Sequence, residues 1–142
     1  MAMIPEQQSS SLPAEKTDAQ PRVLLVDDET AILFAYRRLI GRMGLLADCC
    51  ETLEEAIMHI ATRTYCAVIA DMRLAGSDTT AGLDLLRYIR TRQPDTKVII
   101  WTGYGARESE AAILALGAAY YFEKPVLPSI ILDILTELKS SG

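Results

Sequence analysis

Apolar residues fall along the chain in two alternating patterns. Residues 23–26 and 66–70 are short unbroken apolar runs, and 97–101 is apolar after Lys97, as expected of strands covered on both faces. Residues 45–50 make a weaker strand and 119–122 a short fifth one. Between them the spacing becomes helical. Ile32, Leu33, Tyr36, Leu39, Ile40 and Met43 recur at three and four, predicting a helix over 31–43 that Gly44 can end in a left-handed conformation. Gly41 inside that helix costs roughly 1 kcal/mol against Ala and has no evident reason. Thr52 and Glu55 form a capping box that opens a helix to about Thr62. Further helices are expected over 82–92, from about Arg107 to a stop at Gly117, and over 128–139. Strands and helices in strict alternation imply a parallel sheet with helices on both faces. No segment repeats, which excludes a solenoid.

Residues 1–21 break this order. They are rich in Ser, Gln, Pro and Glu without apolar periodicity, and are expected to form a disordered tail before a single domain over 22–140. With 142 residues, 50% hydrophobic and 23% charged, the chain suits one globular domain. A net charge of −5 argues against a general nucleic-acid binder. No run approaches the length of a membrane span and no secretory signal is present, so a cytoplasmic location is expected. Cys49, Cys50 and Cys66 have no zinc-site spacing and read as free thiols in a reducing compartment. Adjacent strand residues Cys49 and Cys50 should face opposite sides of the sheet. His59 reads as a surface histidine, Trp101 as strand core, and Arg63, Arg87, Arg90 and Arg92 as solvated helix faces.

In open α/β sheets, ligands bind beyond the carboxyl ends of the strands, so the residues after each strand carry the chemistry. Asp27, Asp28 and Glu29 follow the first, Asp71 the third, Thr102 the fourth and Lys124 the fifth. Acids gathered this closely are tolerated when a cation sits among them. Mg²⁺ favours a few carboxylates with waters and phosphate oxygens. A carboxylate in such a site can attack phosphorus to give an aspartyl phosphate, whose oxygens a metal and a lysine neutralise. A hydroxyl can donate to a phosphoryl oxygen.

The segments Val26-Asp27-Asp28-Glu29, Ala70-Asp71-Met72, Trp101-Thr102-Gly103-Tyr104-Gly105 and Glu123-Lys124-Pro125 together resemble the receiver domain of two-component response regulators, of the chemotaxis-regulator type. The resemblance spans about Arg22 to Lys139. It implies a flavodoxin-like five-stranded parallel sheet in the order 2-1-3-4-5. It implies that Asp71 takes a phosphoryl group from a sensor histidine kinase or histidine phosphotransfer protein, with Mg²⁺ as cofactor. Asp28, Asp71 and the backbone carbonyl of Arg73 would hold the metal, with Asp27 acting directly or through water. Lys124 would pair with the acids and then with the phosphoryl group. Thr102 would turn toward the phosphate as Tyr121 swings inward, with Tyr120 the competing aromatic. Pro125 would hold the preceding peptide bond, often cis in this family. The output surface would be the fourth helix, fifth strand and fifth helix, and phosphorylation-dependent dimerisation through it stays open.

The loop after Asp71 departs from the family pattern. Ala75 and Thr79 stand where a proline and a glycine are usual, and the matching glycine is Gly82, so the loop over 73–81 is longer than usual. Arg73 and Tyr104, each two residues beyond a key residue, flank the route of water to an acyl phosphate and are expected to slow its hydrolysis. Two other functions compete. An aspartate-nucleophile phosphatase would need Asp-x-Asp after the strand, but Asp71-Met72-Arg73 lacks the second acid. A degenerate receiver, acting only as an interaction or dimerisation module, would lack a key residue, and none is missing. No metabolic enzyme activity is expected beyond self-phosphorylation and self-dephosphorylation.

Overall fold

The computed structural model describes residues 21–73, 81–103 and 110–141. Five strands alternate with five helices: β1 Arg22–Val26, α1 Thr30–Arg42, β2 Leu46–Cys50, α2 Leu53–Thr62, β3 Ala67–Asp71, α3 Ala81–Arg92, β4 Lys97–Thr102, α4 Glu110–Ala115, β5 Tyr120–Glu123 and α5 Pro128–Ser141. The strands form one parallel sheet in the order β2-β1-β3-β4-β5. This is the flavodoxin-like arrangement expected from the motifs. Residues 1–20, the bulk of the expected tail, lie outside the described residues, as do 74–80 of the lengthened loop and 107–109 of the expected helix start.

Strand alternation sorts the core into two layers. Leu24, Val26, Val68, Ala70, Val98 and Ile100 pack against α2, α3 and α4 through Ala56, Ile60, Leu85, Leu86, Ile89 and Ile113. Val23, Leu25, Ile69, Ile99 and Trp101 pack on the other face against α1 and α5 through Tyr36, Ile40, Ile131 and Leu135. Cys50 joins the first layer and Cys49 the second, as alternation requires. All three thiols are free, and burial raises each of them, Cys50 to about 12, which keeps them protonated. The Trp101 ring meets Tyr36 edge-on at 5.1 Å.

Local signals explain most boundaries. Thr52 accepts from Glu55 N at 3.1 Å to cap α2, while the Glu55 carboxylate takes the Glu51 N–H at 2.9 Å. Gly44 and Gly117 end α1 and α4 at φ +85° and +112°, where a side chain would be strained. A Cβ on Gly41 meets nothing within 4 Å among the described residues, which give no packing reason for that glycine.

Of the arginines read as solvated, Arg87 and Arg92 pair within their own helix, and Arg63 and Arg90 reach beyond theirs. Arg63 donates to Asp48 at 2.9 Å, and Asp48 also accepts from Arg22 at 2.9 Å and from the Tyr65 hydroxyl at 2.7 Å. Arg90 donates to the Thr96 carbonyl, and its stem lies against Gly117, where a Cβ would sit 2.6 Å from Arg90 Cδ. His59 is half-buried, with Nδ1 3.2 Å from the Tyr65 hydroxyl.

Candidate phosphoryl-transfer site

The carboxyl ends of β1, β3, β4 and β5 meet at one rim, and each of the loops after β1, β3 and β5 begins with one more backbone bond continuing the ladder. Asp27 N donates to Cys50 O at 3.1 Å, Met72 N to Trp101 O at 3.0 Å and Lys124 N to Thr102 O at 2.7 Å. The side chains of Asp27, Asp71 and Lys124 are thus set by the sheet itself. The Lys124–Pro125 bond is cis, as expected.

Lys124 Nζ donates to Asp27 Oδ2 at 2.8 Å, to Glu29 Oε1 at 2.9 Å and to Asp71 Oδ2 at 3.1 Å. The other oxygens of the two aspartates bind backbone: Asp27 Oδ1 takes the Glu29 N–H at 2.9 Å and Asp71 Oδ1 the Arg73 N–H at 3.1 Å. Burial by itself would lower the Lys124 ammonium, but Asp27, Glu29 and Asp71 outweigh it and hold it well above its ordinary value. Burial raises the Asp71 carboxyl, and Asp27 adds to the rise, while the Arg73 N–H and Lys124 oppose it. A carboxylate made more basic by its surroundings is the better nucleophile once ionised.

Asp27, Asp28 and Asp71 each bring a carboxylate oxygen within 4.8 Å of the others, Asp28 exposed and the other two buried. Three oxygen donors converging on one point, one of them open to solvent, fit a small divalent cation that keeps several waters. Thr102 is fully buried, and its Oγ1 has no hydrogen-bond partner among the described residues. Alternation puts Thr102 on the same face of the sheet as Ile100 and as Tyr121, which pairs with Ile100 in register. Tyr121 is half-buried against that layer, whereas Tyr120 turns to the opposite face and stacks on Phe122 at 6.1 Å. Arg73 is exposed, and Tyr104 lies outside the described residues.

Residues 23–136 match the family model described as "Response regulator receiver domain". The chain belongs to that family. The acid tolerance regulatory protein ActR of Rhizobium meliloti (strain 1021) is 31% identical over 134 residues, covering 94% of this chain and 68% of that protein. The photosynthetic apparatus regulatory protein RegA of Rhodovulum sulfidophilum is 30% identical over 122 residues, covering 86% and 63%. This receiver therefore spans about two thirds of the length of those relatives. Among solved structures, a CheY-like response regulator receiver domain protein from Methanospirillum hungatei JF-1 superposes with a TM-score of 0.77 at 28% identity, covering 87% of this chain and 96% of that one. The beryllofluoride-activated NtrC4 receiver domain dimer gives 0.74 at 27% identity, covering 84% and 97%. Receiver domains of response regulators are signalling modules that interact with histidine kinases and output domains. No described helix is long and apolar enough to cross a membrane.

The sequence reading brought Asp27, Asp28, Asp71, Thr102 and Lys124 to this rim, and the receiver fold assembles them there. It counted Glu29 among the acids of the rim but did not single it out as the third partner of Lys124. The available signal was an acid at a helix N-cap directly after two other acids, a position where glutamate is a poor cap.

Proposed function

We propose that Asp71 is the phosphoacceptor of this receiver, taking its phosphoryl group from a histidine kinase or histidine phosphotransfer protein. The observation that carries the reading is the placing of the Asp71 carboxylate between Lys124 and the two other aspartates of the acidic trio. An Asp71 oxygen forms a bond to phosphorus as the bond from phosphorus to the donor's imidazole nitrogen breaks, and the imidazole leaves. Hydrolysis is the second step: water adds to phosphorus, the bond to Asp71 breaks, and inorganic phosphate departs.

Mg²⁺ is the proposed cofactor, held by Asp28, Asp71 and the Arg73 carbonyl with Asp27 directly or through water; when bound it would neutralise the phosphoryl oxygens. Lys124 supplies further positive charge to those oxygens, and the Thr102 hydroxyl, unpartnered among the described residues, supplies a donor. Thr102 and Tyr121, on one sheet face, carry the change toward α4, β5 and α5. Leu114, Leu116, Tyr120, Leu127 and Ile130 are exposed over these elements and the segments next to them, which suits a surface that binds a downstream protein, an output domain or a second phosphorylated copy. Arg73 and Tyr104 slow hydrolysis by obstructing water, and replacing both with small residues should speed dephosphorylation. The unit acts in the cytoplasm, with residues 22–140 as the receiver and 1–21 as a tail, and catalyses only its own phosphorylation and dephosphorylation.

Incubation with Mg²⁺ and acetyl phosphate tests the reading. The same Asp71–phosphorus bond forms while acetate leaves, and intact mass should rise by one phosphoryl group in the wild type and not in Asp71→Asn. No mass change in the wild type would overturn the reading in favour of a receiver used only for protein interaction.

A further inference from the structure

Glu29 stands at the N-cap of α1 with extended backbone, φ −89° and ψ 100°, yet its side chain makes no capping bond. Ser, Thr, Asp and Asn are favoured at such positions because a short side chain reaches the first-turn N–H groups. The longer Glu29 side chain goes elsewhere, to Lys124, 95 residues away in sequence. Its backbone is held in place because Glu29 N donates to Asp27 Oδ1. An ammonium group has three N–H donors, and the bonds to Asp27, Glu29 and Asp71 use all of them.

With a phosphoryl group on Asp71 the bond from Lys124 to that carboxylate passes to a phosphoryl oxygen, and Lys124 can meet a second phosphoryl oxygen only by giving up one of its other two bonds. Asp27 is a poor candidate to let go. Its side chain is fully buried, and a buried carboxylate left without its cation is costly. The Glu29 side chain is 59% exposed, so water can take the place of Lys124 there with little loss. We propose that Glu29 is a latch on Lys124, holding the ammonium in its resting arrangement and releasing it when a phosphoryl group arrives at Asp71. The latch rests on the reading of Asp71 as phosphoacceptor. Glu29 is a positioning residue acting through Lys124, and it sets how readily the site accepts a phosphoryl group.

Two variants separate contact from charge. Glu29→Gln removes the charge, while Glu29→Asp keeps it but shortens the reach and improves the N-cap, so that loss of folding does not explain a change. The full chain is titrated with beryllofluoride in Mg²⁺, following the fluorescence of Trp101, the only tryptophan, whose ring centroid lies 5.6 Å from Lys124 Nζ. The rate of phosphorylation by acetyl phosphate is followed in parallel by intact mass. Both variants should respond at about two- to fivefold lower beryllofluoride and be phosphorylated faster by a similar factor, the range that a part-exposed ion pair carries. If Glu29→Asp behaves as wild type while Glu29→Gln shifts, plain charge is responsible and the latch is overturned. If neither variant shifts, it is overturned outright. A wild type that takes up neither probe would instead sink the assignment of Asp71, and the latch with it.

Discussion

A Cβ on Gly82 would lie 2.7 Å from the Cα of Met72 and 3.0 Å from the Asp71 carbonyl oxygen. The start of α3 therefore rests directly on the backbone that carries the proposed phosphoacceptor, and Gly82 N donates to Met72 O at 3.0 Å to fix the approach. Gly82→Ala should cost about 1–3 kcal/mol and lower the rate of phosphorylation by acetyl phosphate, because the strain falls on Asp71 and Met72. Gly41→Ala is the matched control. Its Cβ enters open space in an exposed part of α1, so it should stabilise the protein by up to about 1 kcal/mol and leave phosphorylation unchanged. Urea unfolding of both variants reads the stability, and intact mass reads the phosphorylation.

That contact also marks where the sequence was legible. Strand ends could be read because a buried parallel strand is a plain apolar run, and the first polar residue after it must lie at the rim. Asp27 and Asp71 were placed by that rule, while the motifs supplied Lys124 and the sheet order. Side-chain destinations across the fold were harder. Whether Glu29 caps its own helix or reaches for a lysine depends on where β5 ends, which no local pattern encodes. The same holds for Arg63, drawn from the end of α2 to Asp48 on β2, and for Arg90, whose stem fills space beside Gly117. Gly82 was visible as a glycine matching the motif, but its reason is a backbone approach that only the packed structure contains.

Lys124 is the common counter-charge of Asp27, Glu29 and Asp71. Lys124→Met leaves the fully buried Asp27 and the nearly buried Asp71 facing each other without a cation. In the presence of a chelator this should lower stability by about 3–5 kcal/mol. Added Mg²⁺ should recover part of that loss, and more in the variant than in the wild type, because the acid trio would then have lost the counter-charge of Lys124. Thermal unfolding with and without Mg²⁺ measures both effects. Equal stabilisation of the two proteins by Mg²⁺ would show that the acids do not form a cation site competing with Lys124.

Asp48 couples the sheet edge to the end of α2, away from the proposed chemistry. Burial would raise its carboxyl, but Tyr65, Arg63 and Arg22 outweigh that and hold it below the ordinary value. A depressed folded-state value gives stability that is present above the unfolded value of about 3.9 and lost as pH falls through the folded one. Asp48→Asn should therefore cost about 1–2 kcal/mol at neutral pH, the figure being kept low because the site is partly open to water. The difference from wild type should shrink as pH drops below about 4. Urea unfolding at a series of pH values checks this, and a pH-independent difference would mean that shape rather than charge is responsible.

Thr102 separates stability from signalling. Its Oγ1 is buried without a partner among the described residues, and such an orphaned polar group carries a desolvation penalty with no bond to offset it. Thr102→Val keeps the shape and removes the hydroxyl, so the unphosphorylated protein should be no less stable than wild type and should gain up to about 1 kcal/mol. The same change should weaken the response to phosphorylation, since the donor proposed to meet the phosphoryl group is gone. Asp71 would still be phosphorylated, as seen by intact mass, while the environment of Tyr121, followed by NMR, should no longer change on addition of beryllofluoride. Thr102→Ser, which restores a hydroxyl, should recover the response. A Thr102→Val protein that is destabilised and yet still moves Tyr121 would reverse the argument, making the hydroxyl structural and leaving the switch to another group.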